Sequence, residues 1–495
     1  MEAILPILVL IEKIAGFLKQ IIIAQFFGTT NYTDAYQLAE NIISIVRGAF
    51  ANSVPVVFLT ALVYKKVKKE KSKYLIRDVT AYGTVLLLVI STIILGISSF
   101  VRILYNDSLF LKNLCNFVII LSPTILLGYI SGIFSSVLES EKKYWPSKIV
   151  SLLTSIFVVI FVVLLFERIS ITSILLGEIV ALIVHIILLL YLIQRNKYDF
   201  MLGGLHESME AKKIFRNAIP LMLSASIYSI NSLVDKAVAL SIKDGAATVL
   251  QYARIISLDL FPSIIVTAFS GVLIREFSRS VAQNDYNKVE ESVGVILESM
   301  FCFLTLVAIV SFVNARGLIT FVYKRGSFNE LSVNMTQIAF LGYVIGIPFY
   351  SIREVLARVH YSYEDTHTPF KSSLIGVIIN IMLSIVLAQK IGLYGIAIAT
   401  TISIMTSSLL NYLALRKKKI SLKKNIISIV KMIPVFIFLI LVCIGINHIF
   451  GDTLIALIAS SISCVLLFYI ITCSLRLESS QFVIGRIREK IGEIV

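Results

Sequence analysis

The sequence predicts an all-α polytopic membrane protein, and three observations lead to this fold class. The 495 residues are 57% hydrophobic, above the share of roughly 45–50% that is usual in soluble domains. Apolar runs long enough to cross a hydrocarbon core of about 30 Å recur along the whole chain. Lys and Arg are concentrated in alternate connections between these runs. This composition excludes a cytosolic enzyme.

Fourteen apolar runs are predicted to span the membrane, with no soluble domain between them. The first contains Glu12, Lys13 and Lys19 and lacks a small-residue cleavage site, so it is interpreted as a retained helix rather than a signal peptide. The predicted spans are Ala3–Phe26, Ala35–Val63, Val79–Ile103, Leu114–Leu138, Ile149–Phe166, Ile171–Leu192, Ile214–Ala239, Val249–Ile274, Val293–Val313, Met335–Val359, Ser373–Ala388, Tyr394–Leu415, Ile426–Ile446 and Leu454–Cys473.

The distribution of basic residues predicts the topology. Of the 45 Lys and Arg residues, thirty fall in one set of alternate connections and the C-terminal tail, whereas eight fall in the other set. By the positive-inside rule, the basic connections and both termini are cytoplasmic. Basic runs such as Lys65–Lys73 are therefore topology signals and contacts for anionic lipids, and no nucleic-acid partner is expected.

A short motif predicts an internal repeat. Trp145–Lys148 opens the fifth span, and the similar Thr368–Lys371 opens the eleventh, about 223 residues later. Because six spans separate the two copies, the halves would share one orientation, as in a parallel repeat. The predicted domains are an N-terminal six-helix lobe (1–195), a cytoplasmic linker (196–213), a C-terminal six-helix lobe (214–418), two further transmembrane helices (425–475) and a cytoplasmic amphipathic tail (476–495).

Charged side chains at membrane depth mark the candidate functional region. Each would cost about 2.5–3.5 kcal/mol at the centre of a lipid-facing helix, so these side chains must face one another or water. They are the basic residues Lys13, Lys19, Arg47, Lys236, Arg254, Arg353 and Lys431 and the acidic residues Glu12, Glu40, Glu178, Asp235, Asp259 and Glu354.

The spacing of these charges predicts polar stripes. Glu12 and Lys19 lie seven residues apart on one face of the first span. Glu40 and Arg47 repeat that spacing on the second span. In a bundle of two halves, such stripes would line a central cationic cavity suited to phosphate or pyrophosphate. The alternative is a set of internal ion pairs, such as Glu12 with Lys19, that only hold helices together.

Seven short stretches within about the first 415 residues carry a family resemblance, namely Gly16–Lys19, Ala24–Gly28, Thr33–Tyr36, Arg47–Ala51, Lys324–Phe328, Ser362–Pro369 and Gly392–Ala397. Together they resemble the bacterial lipid II flippases of the MurJ (MviN) type, in the multidrug, oligosaccharidyl-lipid and polysaccharide exporter superfamily. The resemblance implies fourteen helices in two lobes around a central cavity, in the bacterial cytoplasmic membrane. It also implies alternating access that carries an undecaprenyl-pyrophosphate-linked peptidoglycan precursor outward.

The resemblance also implies roles for particular residues. The implied substrate-binding residues are Lys13, Lys19, Asp34, Arg47 and Arg254, and the candidate charges of the cavity or its gates are Glu12, Glu40, Arg353 and Glu354. Lys13 and Lys19 stand where the family has arginines, and lysine lacks the planar fork that binds phosphate through two donors. Ile255 occupies the usual helix-eight arginine position, with Arg254 one residue earlier, and Gln20 replaces an acidic residue.

A sodium site known in some members of the family would correspond to Asp235, Asn380 and Thr401. Ser384 stands where a second carboxylate would strengthen such a site for a hard cation. No cofactor and no other metal are expected. Coupling to sodium, to protons or to the membrane potential stays open, and the protein is predicted to function as a monomer.

Other functions remain as alternatives. The first is export of another lipid-linked oligosaccharide for capsule or a different surface polymer. A membrane-embedded polyprenyl-phosphate transferase would need an acid and a base, commonly with a metal, in an accessible loop. The longest external connection, about Asn314–Asn334, contains only Glu330 as an acid. A multidrug antiporter would favour an acidic, aromatic cavity, and a non-transporting scaffold would not need so many buried charges.

Overall fold

The computed structural model describes residues 4–68, 73–196, 198, 200–202, 208–260, 262, 264, 286–417 and 420–474. Within these ranges the regular structure is helical and contains no strand, which confirms the all-α class. The predicted amphipathic tail 476–495 lies outside the described residues.

The described chain contains eighteen α-helices and two short π-helical segments. The α-helices are α1 (Ile4–Phe27), α2 (Asn31–Arg47), α3 (Ser53–Val67), α4 (Lys73–Leu104), α5 (Leu109–Leu121), α6 (Pro123–Ser140), α7 (Trp145–Ile169), α8 (Thr172–Arg195), α9 (Met209–Leu240), α10 (Ala246–Arg254), α11 (Tyr286–Val313), α12 (Ala315–Tyr323), α13 (Glu330–Val344), α14 (Ile347–Ser362), α15 (His367–Lys417), α16 (Lys423–Lys431), α17 (Ile433–Phe450) and α18 (Leu454–Ser474). The π-helical segments are Gly48–Asn52 and Ile255–Leu260.

Membrane spans are formed by long apolar helices and by helices joined end to end. In the described part of the chain, nine such elements are long and apolar enough to cross a membrane, or ten if the bent pair α13–α14 is one span. The polytopic membrane fold is thereby confirmed, whereas the count of fourteen spans stays a prediction.

Several predicted spans are broken by residues that disrupt helical geometry. Pro123 opens α6 directly after α5, where its fixed φ suits the first helical turn. α13 and α14 are bent by 45° at a break that contains Gly346. Gly392, with φ of +61°, interrupts α15 between the predicted eleventh and twelfth spans. The connection 314–334, which was predicted to be external, contains α12, which was not predicted.

The helices pack into two compact units. The first comprises residues 1–248 and 325–328, and the second comprises residues 249–324 and 329–495. The first unit therefore includes α9, beyond the boundary at residue 195 that was predicted for the N-terminal lobe. Its apolar core runs from α1 to α9, and the fully buried Tyr129 donates a 2.7 Å hydrogen bond to the carbonyl of Val79. In the second unit, α11 packs on α14 and on the pair α17–α18.

The segment 325–328 joins the first unit through the end of α1. The Ser327 amide donates to the Gln25 carbonyl at 2.8 Å, and its hydroxyl donates to the Phe26 carbonyl at 2.9 Å. Gly28 and Gly326 have φ of +60° and +54°, and a Cβ on Gly28 would collide with the Ser327 carbonyl. Two of the stretches that resemble the flippase family thus contact each other.

Candidate functional site

Arg47 is the centre of a charged cluster inside the first unit. The long side chain of a helical residue points toward the N-terminus of its helix, so Arg47 at the end of α2 reaches back to Glu40, to which it donates a hydrogen bond. Its second nitrogen, Nη1, donates to the Thr124 hydroxyl at 3.3 Å. The same Nη1 lies 3.8 Å from Oε2 of Glu178. The predicted stripe of Glu40 and Arg47 is therefore a direct ion pair.

Glu178 on α8, which was predicted as a charge at membrane depth but not as a binding or gate residue, is the buried partner of Arg47. Its side chain is 8% exposed, against 24% for Glu40. Lys19 and Arg47 act on it as positive charges, and Tyr36 is hydrogen-bonded to it. In the sequence, the only indication of its role was that a single glutamate stands within an apolar run. Its neighbours come from α1 and α2, more than a hundred residues away in sequence.

The basic residues of α1 are half-buried in the first unit. Lys19 acts on Glu178 as a positive charge, so α1 adds to the electrostatic surroundings of the cluster formed by α2 and α8. Glu12 and Lys13 are also half-buried. The ion pairs of the described residues do not include Glu12 with Lys19, which was the alternative pairing predicted from spacing.

A cavity of about 750 Å³ within the first unit reaches Arg47. Hydroxyl groups are prominent in its wall, and Lys148 and Glu139 are its other charged lining residues. The hydroxyl-bearing residues are Ser44, Ser131, Ser135, Ser136, Ser147, Tyr228 and Ser229. A guanidinium beside many hydroxyls can bind an anionic group and hydrogen-bond a neutral polyol next to it.

Asp34 lies in a different setting from that expected of a substrate contact. The residue is fully buried, and its carboxylate accepts hydrogen bonds from the Gly245 amide at 2.7 Å and the Thr248 amide at 2.8 Å. The Thr248 hydroxyl donates a third bond at 2.7 Å. These are the backbone groups that a helix N-terminus leaves without partners, so Asp34 caps the start of α10. A role in substrate binding stays a prediction.

Arg254 belongs to the second unit. It ends α10, and its Nε lies 3.7 Å from Oδ2 of Asp259 in the following π-helical segment. Ile255, which stands at the usual arginine position of the family, is 9% exposed.

Arg353 and Glu354 form a half-buried cluster on α14. Arg353 donates to Glu354 at 3.0 Å, and Arg358 donates to the same carboxylate at 3.1 Å. The Arg353 guanidinium also lies 4.9 Å from the ring centroid of Tyr350. These predicted gate charges are thus engaged with neighbours on their own helix, and a gating role stays a prediction.

The candidate cation-site residues are all buried. In the second unit, the Asn380 amide donates to the Thr400 hydroxyl at 3.0 Å, and the Thr401 hydroxyl donates to the Gly342 carbonyl at 2.8 Å. Asp235 belongs to the first unit and is 4% exposed. Among the described residues, no group of three or more His, Cys, Asp or Glu side chains could hold a metal. The sodium site stays a prediction.

Comparisons with known proteins identify the family. Residues 23–469 match the model of the family described as lipid II flippase MurJ. A probable lipid II flippase MurJ of Rickettsia prowazekii is 24% identical over 418 residues, which cover 81% of this chain and 80% of that protein. The lipid II flippase MurJ of Thermosipho africanus is 25% identical, over 79% of this chain and 80% of that protein.

Solved structures show the same fold. A lipid II flippase MurJ in an inward closed conformation matches with a TM-score of 0.78 at 19% identity, over 95% of this chain and 99% of that one. An inward-facing multidrug transporter of the MATE family matches with a TM-score of 0.71 at 13% identity, over 83% of this chain and 95% of that one. Because the family match spans most of the 495 residues, the chain belongs to the lipid II flippase MurJ family.

Proposed function

We propose that this protein moves lipid II, the undecaprenyl-pyrophosphate-linked peptidoglycan precursor, from the inner to the outer leaflet by alternating access. As a member of the MurJ family, it is a transporter and not an enzyme, and it is a multi-pass protein of the bacterial inner membrane. The proposal adds the direction of transport and the residues that hold the cargo.

The observation that carries the proposal is the basic cluster beside the hydroxyl-lined cavity of the first unit. Arg47 lines that cavity, and Lys19 acts on the same buried carboxylate as Arg47. We assign the pyrophosphate of lipid II to Arg47 and Lys19, with Lys13 as a further positive charge. The sugars would then meet the serine hydroxyls of the cavity, of which Ser44, Ser136 and Ser147 donate to backbone carbonyls and can accept hydrogen bonds from a polyol.

The proposed function also includes a membrane topology, a set of partners and a source of energy for the return step. Both termini face the cytoplasm, as the basic connections require. The protein acts as a monomer, binds membrane lipids and has no nucleic-acid partner. An empty cationic site that returns across the membrane moves charge through the field, worth about 2.3 kcal/mol per charge per 100 mV. The membrane potential, sodium or protons would therefore drive the reset.

The experiment is complementation of a bacterium depleted of its own flippase. Wild type is expected to restore growth, whereas Lys19→Ala and Arg47→Ala are expected to fail at matched membrane expression. Arg102→Ala, an exposed arginine at the end of α4, is the matched control and should complement like wild type. Arg254→Ala reports on the predicted site in the second unit. Growth supported by both the Lys19 and Arg47 variants would overturn the assigned site.

A second candidate cargo is another lipid-linked oligosaccharide for a surface polymer. Lys13 and Lys19 in place of arginines, with Gln20 in place of an acid, favour it, because a compact ammonium recognises phosphate differently from a planar guanidinium. Failure of well-expressed wild type to restore growth, together with transport of a different lipid-linked sugar into vesicles, would support this candidate over lipid II.

A further inference from the structure

The cluster around Arg47 contains more carboxylates than its hydrogen bonds can satisfy. Arg47 donates to Glu40 and to Thr124, and it approaches Glu178 only to 3.8 Å, beyond hydrogen-bonding distance. Oε2 of Glu40 and Oε2 of Glu178 are both buried without a hydrogen-bond partner. Each carboxylate therefore has an oxygen to which a proton could be added, and the resulting hydroxyl could donate a hydrogen bond.

The surroundings of Glu178 limit which groups can compensate its charge. Glu40, Arg47 and Tyr36 from α2 and Lys19 from α1 act on it. The helices packed against α8 contain other titratable groups, of which Glu139 and Lys148 line the cavity that reaches Arg47, and Glu167 and Arg168 are exposed at the end of α7. These other groups are Lys112, Cys115, Tyr129, Glu139, Lys148, Glu167 and Arg168.

We propose that Glu178, together with Glu40, serves as the counter-anion of Arg47 when no substrate is bound. An anionic head group that binds Arg47 displaces these carboxylates from it, and the two glutamates then take up one proton from water. The inference rests on the proposed function, because it takes the pyrophosphate to be the ligand of Arg47. Two carboxylates and a pyrophosphate around the same cations repel one another, and protonation of one carboxylate removes part of that repulsion. The proton stays on the shared pair and no bond of the lipid is broken.

The linkage between ligand and proton sets the expected pH dependence. Without lipid II, Glu40 and Glu178 are both ionised beside Arg47. With lipid II bound, one of the two is protonated and neutral. Lipid II binding is therefore expected to weaken as the pH rises, by at most about tenfold per pH unit for one proton. The pyrophosphate diester of lipid II keeps its own charge near neutral pH, so the change reports on the protein.

The test is calorimetry of lipid II binding to the full-length protein in detergent, in buffers of different ionisation enthalpy, which counts the protons taken up. Wild type is expected to take up about one proton per lipid II. Glu178→Gln should bind lipid II with almost no proton uptake and little pH dependence, because an amide cannot titrate. Glu167→Gln, an exposed glutamate on α7, is the matched control and should behave like wild type.

The outcomes separate this inference from the proposed function. Lipid II binding by wild type without proton uptake, or equal uptake by wild type and Glu178→Gln, would overturn the inference and leave the flippase function standing. Absence of lipid II binding to well-folded wild type would overturn the proposed function itself. If Glu178→Gln fails to fold, Glu40→Gln tests the same shared proton, and undiminished uptake by that variant would also contradict the inference.

Discussion

The helices α2 and α10 end in the same way but in different surroundings. α2 ends at Arg47 before the π-helical segment Gly48–Asn52, and α10 ends at Arg254 before the π-helical segment Ile255–Leu260. These are the predicted second and eighth spans, six apart, as the parallel repeat requires. Since π turns are rare and often lie at functional sites, their recurrence after an arginine supports the repeat independently of the motif at the fifth and eleventh spans.

The electrostatic surroundings of the two arginines differ. Arg47 pairs with Glu40, 24% exposed, and lies near Glu178, 8% exposed. Arg254 lies 3.7 Å from Asp259, whose side chain is 45% exposed. The Arg47 side chain is 25% exposed and the Arg254 side chain 14%, so the difference lies in the carboxylates: water screens the exposed Asp259 strongly and the buried Glu178 much less. The same backbone arrangement thus holds one arginine in a strongly coupled cluster and places the other beside a carboxylate that water solvates.

The helix starts differ as well. α2 begins with a local capping box in which the Thr33 amide donates to the Thr30 hydroxyl at 3.2 Å and the Thr30 amide donates to the Thr33 hydroxyl at 2.8 Å. Residues 245–248 at the start of α10 depend on Asp34, which lies on α2. One start is specified by adjacent residues and the other by a residue more than two hundred positions away.

The largest expected effect is that of Arg47→Ala on stability. Removal of the guanidinium leaves Glu40 without its ion-pair partner and Glu178 with Lys19 as its remaining positive neighbour, which should lower the free energy of unfolding by about 3–5 kcal/mol. Denaturant titration in mixed micelles measures the change. Adding Glu178→Gln to Arg47→Ala should recover part of the loss. A loss no greater than that of Arg254→Ala would contradict the difference between the two sites.

The next largest effect is expected for Asp34→Ala. The substitution leaves the amides of Gly245 and Thr248 buried without an acceptor, at a cost of about 2–3 kcal/mol in the free energy of unfolding. Asp34→Asn keeps one acceptor oxygen and should lose less. If Asp34→Ala unfolds at the same denaturant concentration as wild type while abolishing complementation, the capping role is wrong and the predicted substrate contact gains support.

Features set by local sequence could be predicted, and features set by packing could not. The apolar runs gave the helices, and the seven-residue spacing placed Glu40 and Arg47 on one face, where they pair. Glu178 was visible only as a glutamate in an apolar run. Its role depends on how α8 packs against α6 and α7, which brings Glu178 near Arg47, and residue spacing within one helix does not encode that packing.

For Asp34 a role was predicted, but the partners that the structure shows could not be predicted. The family resemblance predicted a substrate contact, but the partners of its carboxylate, Gly245 and Thr248, lie on a remote segment. The helix α12 and the 45° bend between α13 and α14 were also missed. A nine-residue helix is shorter than the sequence window used to identify a membrane span. Gly346 indicates that a helix can break there but does not indicate the angle between the two helices.

A smaller effect is expected for Thr30→Ala at the start of α2. Loss of the hydroxyl that accepts from the Thr33 amide should cost about 1 kcal/mol in the free energy of unfolding, as for other N-cap substitutions. Thr30→Ser, which retains the hydroxyl, is the control and should stay close to wild type. A loss equal to that of Asp34→Ala would remove the distinction between a local and a remote cap.

The smallest effect is expected for Asp259→Asn beside Arg254. Because the Asp259 carboxylate is 45% exposed and lies 3.7 Å from Nε of Arg254, solvent screening should hold the loss of unfolding free energy below about 0.5 kcal/mol. The same titration at high salt should reduce this small difference further, whereas the shift in stability caused by Glu178→Gln should be similar at low and high salt. A loss above about 1 kcal/mol for Asp259→Asn would mean that Arg254 depends on its carboxylate as Arg47 does. The two arginines would then be electrostatic as well as structural counterparts in the repeat.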